Sequence, residues 1–445
     1  MVPPSIRRLF GAVLIVAPLA LAPLAAADAA APNFVAAWTG SVQGPYPVGN
    51  ATAQPDLRFA FPDPAKGATD QSFRLNVRPD IWGKQARIRL SNVFGTKPVT
   101  FDSVYVGLQQ SGSAIVPGTN RPVTFGGKAT LTIAPGQSAV SDPVALPFVT
   151  NPDDKMLAGR RLGVSFHVEG DSGPMTWHAK ALTTSYVSPP NSGAKTRDES
   201  EQAFPYSSTS WYFLDAVEMS APTGTRTIVA FGDSITDGTA STINGDDRWP
   251  DVFARRLHAR YGNRFAVVNA GIGGGMVIGP ADYATHPFAG GPAATERLQR
   301  DVLSLPGVGA VIWLEGINDF GHADARPEDV ENGVRDTVKR LRAAIPGVRV
   351  FMATLTSALH STNEGYGAPA VDEKRRAYNQ FIRSAGIFDG VIDFDAVTYD
   401  PATGELKAAF QPNSSTGGPG EKLHPNRAGY AAMGLAIDPA TITGK

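Results

Sequence analysis

Beyond residue 225 the chain alternates near-continuous apolar runs with stretches of helical period. The runs fall at 227–231, 265–269, 310–314, 348–353 and 391–394. Helices are predicted around 250–261, 293–303, 327–344, 371–384 and 427–435. Strands that are apolar on both faces belong to a parallel sheet covered by helices on each side. Residues 225–445 are therefore expected to form an α/β three-layer domain. Between residues 31 and 222 the rhythm is shorter. Segments 86–94, 162–168 and 211–214 alternate or carry aromatics, and Pro-Gly, Gly-Gly and Asn-Ser-Gly clusters separate them. No amphipathic helix is evident there, so this half is expected to be an all-β sandwich or jelly-roll-like domain. The Ala-Pro-Thr-Gly connector within 220–224 marks the boundary between the two.

The length of 445 residues agrees with two or three domains, each able to bury a core. Charge adds little, because 40 basic residues balance 41 acidic ones. Neither a nucleic-acid footprint nor a polybasic membrane patch is implied, since either needs clustered Lys and Arg. There is no cysteine, which excludes disulfides and thiol chemistry. The first 29 residues read as a secretory signal peptide: Arg7 and Arg8, an apolar run over 9–24, then small residues at 25–29. Export to a periplasm or to the medium is the expectation. No later stretch has the apolar length of a membrane span.

Candidate chemistry begins where the first apolar run of the α/β half breaks, at Phe231-Gly232-Asp233-Ser234-Ile235-Thr236-Asp237-Gly238. The break leaves Ser234 just past a strand end, where open α/β sheets bind ligands. Ser234 is then either a nucleophile or the cap of the following helix. The Gly-x-Ser-x-Gly elbow of α/β-hydrolases is absent, because position 236 is Thr. His424 precedes Pro425, which restrains its backbone, and a helix starts just beyond. Trp249 stands either beside an acyl pocket or in the core, and Trp177, His178, Trp211 and Tyr212 form either an aromatic platform or part of a sandwich core. Segment 403–420 reads from its composition as a flexible flap.

Three further blocks accompany the serine: Asn269-Ala270-Gly271-Ile272-Gly273-Gly274, Gly316-Ile317-Asn318-Asp319, and Glu421-Lys422-Leu423-His424-Pro425-Asn426. In this order and spacing the four blocks resemble the SGNH subgroup of the GDSL-type esterases and lipases, over roughly residues 225 to the end. The resemblance implies a flavodoxin-like parallel sheet and hydrolysis of carboxylic esters through an acyl-serine. It implies Ser234 as nucleophile, His424 as base, and an oxyanion hole made by the Ser234 and Gly274 N–H groups with the Asn318 amide. One departure stands out. The family pattern has Asp three residues before the histidine, and this chain has Glu421, whose extra methylene requires a backbone shift to keep the same geometry. Asp319 and Asp395 are the fallback acids. No cofactor is expected, because Gly271-Ile272-Gly273 would need Gly or Ala at Met276 to bind a dinucleotide, and no His-Glu-x-x-His pattern suggests a metal. Short acyl esters are the expected substrates: acetyl groups on carbohydrate suit the paired β domain, and short-chain lipids or aryl esters fit the motifs equally well. The rival readings are a carbohydrate-binding protein with an inactive esterase domain, and an acyltransferase using the same site.

Overall fold

The computed structural model describes Met1 and residues 33–444; apart from Met1, the expected signal peptide lies outside the described residues. In the N-terminal half the main strands are β1 (Phe34–Thr39), β2 (Thr69–Val77), β3 (Gln85–Ser91), β4 (Val99–Ser111), β5 (Leu162–Asp171), β6 (Thr176–His178) and β7 (Leu214–Ser220). All pair antiparallel. In one sheet β7 lies between β1 and β3, and in the other β5 lies between β2 and β4. Ile88, Leu90 and Val217 from the first meet Phe73, Leu75, Val164 and Phe166 from the second in one core, which makes the half a sandwich. Of the aromatic residues considered for a platform, Trp177, Trp211 and Tyr212 belong to this interior, and His178 is buried beside Trp211 where it meets Asp237.

The C-terminal half holds a five-stranded parallel sheet of β8 (Arg226–Gly232), β9 (Phe265–Gly271), β10 (Val308–Leu314), β11 (Arg349–Ala353) and β12 (Gly390–Ile392). The spatial order is β9-β8-β10-β11-β12. The helices are α1 (Ser234–Asp237), α2 (Trp249–Tyr261), α3 (Ala294–Leu298), α4 (Ile317–Gly321), α5 (Pro327–Ala344), α6 (Pro369–Ser384) and α7 (Arg427–Ala436). In α5 a proline at the first turn and the buried stripe Val330, Val334, Val338 and Leu341 show why this segment is a helix and which face it lays on the sheet. The helix expected over 293–303 is α-helical only to Leu298, after which it widens into a π turn over Gln299–Leu303. Strand order reverses beside β8, so the carboxyl ends of β8 and β10 open the crevice where such sheets bind ligands.

All six residues of β1 are buried, without the alternation of a sandwich edge. Val35 and Ala37 enter the sandwich core, while Ala36 enters the α/β core. The Ala36 N–H donates to Pro306 O at 3.0 Å and Ala36 O accepts from Thr227 Oγ1 at 2.9 Å, which stitches β1 to the amino ends of the parallel strands. The residues from Asn33 onward form one compact unit.

Candidate active site

The turn after β8 is built by Asp233. Its Oδ1 accepts the Ile235 N–H at 2.9 Å, so Asp233 caps α1 and Ser234 is the first helical residue. The capping role considered for Ser234 thus falls to its neighbour. The Ser234 hydroxyl instead lies 2.7 Å from His424 Nε2. On the other side of the imidazole, Nδ1 contacts Glu421 Oε1, which also accepts the His424 backbone N–H at 2.9 Å. A carboxylate at Nδ1 holds the ring proton there and leaves Nε2 to accept from the serine. Neither fallback acid reaches the histidine. Asp395 pairs with Arg375 and Arg383, and Asp319 accepts the Val277 and Ile278 N–H groups.

Glu421 is fixed through its backbone. Ser361 Oγ and the Thr362 N–H both donate to Glu421 O, at 2.7 and 3.1 Å. Lys422 turns the chain with a left-handed backbone (φ 64°), and its ammonium meets Glu405 at 3.0 Å. The segment expected to be a free flap is tied down as well. Ser414 N–H donates to Ala240 O, Ser415 Oγ to Ser241 O, and Asn426 N–H to Phe410 O. Its polar residues, which suggested mobility, are used to hydrogen-bond the loop that follows α1. Trp249 is a core residue, fully buried against Phe394.

The Asn318 side chain spans two partners: Nδ2 donates to Gly275 O at 2.7 Å and Oδ1 accepts from Tyr366 hydroxyl at 2.7 Å. Those two bonds set which end of the amide is nitrogen and leave its second N–H without a partner among the described residues. The Gly274 and Ser234 backbone N–H groups are likewise unpaired among the described residues. Gly274 has φ 89°, and a Cβ there would stand 2.8 Å from Asn50 Nδ2, so only glycine suits this position. Gly271 is similarly restricted, because a Cβ would come within 2.2 Å of Asp237 N.

Several supporting residues were not visible from motifs. Arg297, fully buried, donates to Gly232 O at 2.8 Å and Ala270 O at 2.9 Å, tying together the ends of β8 and β9. Its charge is matched by Asp301 and Glu315 at 3.0 and 3.1 Å. Asp237 accepts the Gly273 N–H at 2.9 Å and meets His178 Nε2 at 3.2 Å. Lys180 donates to Thr239 Oγ1 at 2.5 Å. A polar residue closing an apolar strand, as Glu315 does after β10, was a readable signal. Asn50 and Lys180 gave none, because their partners lie 223 and 59 positions away.

Burial and charge tune the groups in opposite directions. Burial pushes the His424 imidazole below its ordinary value, with Lys180 adding to the effect and Glu421 opposing it. Burial also disfavours a charged Glu421, yet its hydrogen bonds from His424 outweigh that and hold its carboxyl below the usual range. Burial raises Asp319 to about 7, against the two N–H donors it accepts. Asp233 is raised by burial and by the nearby Glu315. Tyr366 is pushed up to about 12 by burial, which keeps its hydroxyl a donor. Among the described residues no group of three or more His, Asp or Glu side chains is arranged to hold a metal ion.

A doubly wound parallel sheet with its Ser, Gly, Asn and His blocks gathered at the carboxyl ends of the strands defines the class of SGNH-type α/β proteins. Residues 230–432 match the model of the GDSL-like lipase/acylhydrolase family. No curated protein matches the chain. Among solved structures it is similar to a carbohydrate acetylesterase from Sinorhizobium meliloti, at 17% identity and TM-score 0.37, covering 49% of this chain and 99% of that one. It is also similar to the M. smegmatis aryl esterase, at 18% identity and TM-score 0.36, covering 47% of this chain and 95% of that one. A GDSL-like lipase from Bacteroides thetaiotaomicron matches at 14% identity and TM-score 0.37, covering 51% and 92%.

Proposed function

We propose that the protein is a serine esterase that hydrolyses short-chain carboxylic esters, with acetyl groups on carbohydrate the class to test first. The observation that carries this reading is the 2.7 Å contact of Ser234 Oγ with His424 Nε2, on an imidazole whose other nitrogen meets Glu421. His424 takes the Ser234 proton as Oγ attacks the ester carbonyl. The oxyanion is held by the Ser234 and Gly274 N–H groups and by Asn318 Nδ2, each worth about 2.7–4 kcal/mol of transition-state stabilisation. The imidazolium, stabilised by Glu421, returns its proton to the departing alcohol, and water then cleaves the acyl-serine by the same route. A preference for short acyl groups is supported by the polar character of Asn50 and Lys180, which pack on the Gly273–Gly274 loop. Export by the N-terminal segment belongs to the same proposal, and sequencing the N-terminus of the mature protein tests it.

The test is hydrolysis of 4-nitrophenyl acetate, butyrate and octanoate by the wild type, Ser234→Ala and Glu421→Ala. Turnover should favour the two shorter esters and vanish in Ser234→Ala. The Glu421→Ala variant should lose about 10⁴-fold in kcat, as expected when the orienting acid of a triad is disabled. Absence of turnover, or turnover that survives Ser234→Ala, would sink the esterase reading.

A further inference from the structure

We propose that Asn50, on the β-sandwich half, is a positioning residue of the oxyanion hole, an inference that rests on the esterase reading above. Asn50 Nδ2 donates to Gly273 O at 3.1 Å. Gly273 O and the Gly274 N–H belong to one peptide group, so a hydrogen bond that fixes the carbonyl also fixes the direction of the N–H at the other end. The preceding peptide is held independently, by the 2.9 Å bond from the Gly273 N–H to Asp237. Asp237 comes from the α/β half and Asn50 from the sandwich. The orientation of the donor is therefore set by both halves of the molecule. A carbonyl that accepts a hydrogen bond also polarises its amide, which strengthens the N–H as a donor.

Two observations make Asn50 more than a chance neighbour. The sandwich approaches both glycines of the loop: a Cβ on Gly273 would lie 3.0 Å from Lys180 Nζ, and one on Gly274 would lie 2.8 Å from Asn50 Nδ2. The segment carrying Asn50 is anchored, because Trp177 Nε1–H donates to Val48 O at 3.0 Å and the Val48 N–H turns back to Pro45 O at 2.8 Å. Trp177 is itself a buried core ring, so the sandwich core sets where Asn50 stands. Asn50 is exposed, which lets it be changed without opening the core.

The test uses the full chain with Asn50→Ala and with Asn50→Asp, which keeps the shape and loses the donor. Each is assayed for kcat and KM on 4-nitrophenyl acetate, for affinity to a small alkyl boronic acid that forms a tetrahedral adduct with the serine, and for thermal midpoint. The expected result is a fall in kcat of about tenfold, short of the ~10²–10³ lost with an oxyanion donor itself. KM and the thermal midpoint should stay unchanged, and boronate affinity should fall in step with kcat. Faster hydrogen exchange of the Gly273–Gly275 amides in both variants is also expected. Wild-type kcat in both variants would overturn the proposal, and so would a change confined to KM or a loss of kcat that follows a lowered midpoint. A wild type without Ser234-dependent turnover would instead overturn the esterase reading, and this inference with it.

Discussion

Lys180 shows how much one side chain can bias the site. It is buried, donates to Thr239, and lies close enough to His424 to disfavour its protonation. The proposed base catalysis needs neutral His424, so activity should disappear as pH falls through the imidazole pKa. That pKa lies below the ordinary value of 6.5, because burial and Lys180 lower it more than Glu421 and Asp237 raise it. The acid limb of the kcat/KM profile is therefore expected below pH 6.5. Replacing Lys180 by Met removes a cation that opposes protonation, so the limb should move to higher pH. A profile left in place would show that Lys180 does not bias the imidazole.

At the level of elements, the carboxyl ends of β8 and β9 are joined by a side chain, since Gly232 O, the last carbonyl of β8, and Ala270 O, the last but one of β9, both accept from Arg297. The guanidinium also lies 4.1 Å above the Phe231 ring. Arg297→Met would leave Asp301 and Glu315 buried without their cation, and breaking a buried pair in this way costs about 3–5 kcal/mol. Urea denaturation should show a loss of that size. Arg297→Lys should recover little of it, because one ammonium cannot span two carbonyls and two carboxylates as the planar guanidinium does. The element boundaries illustrate what sequence can and cannot resolve. Helix α5 was legible because its apolar stripe and its first-turn proline agree. The π turn after Leu298 was not, because Arg297 and Asp301 keep helical spacing in sequence while their buried contacts decide the local winding.

For the molecule as a whole, the question is whether sandwich and α/β half act as separate bodies. Strand β1 gives side chains to both cores, and Asp80 of the sandwich half accepts the Val267 N–H at 2.6 Å and meets His258 at 2.9 Å. With Asn50, His178 and Lys180 at the loops that follow β8 and β9, the contact runs from the amino ends of the parallel strands to their carboxyl ends. Thermal or urea unfolding of the full chain should therefore be a single transition, in which tryptophan fluorescence and esterase activity are lost together. Trp38, Trp82, Trp177 and Trp211 report on the sandwich, and Trp249 and Trp313 on the α/β half. Two separated transitions would show that the halves fold independently.

Local sequence was enough to determine the class of each half and to nominate Ser234, His424, Glu421, Gly274 and Asn318. Apolar period dictates strand and helix, and the Ser234, Gly274 and Asn318 motifs lie within a few residues of the strand ends that present them, while the His424 block sits just before α7. Glu421 was nominated as the acid only through the family resemblance, which expects a carboxylate three residues before His424. Tertiary structure decided everything that needed distant partners: that Asp233 and not Ser234 caps α1, that segment 403–420 is tied down, and that Arg297 underpins two strands. It also decided that a sandwich residue reaches the Gly273–Gly274 loop. The 3.1 Å bond from Asn50 to Gly273 joins positions 223 residues apart, and no periodicity or motif spacing encodes a contact of that separation. Only the packing of two buried cores against a shared strand brings those atoms together.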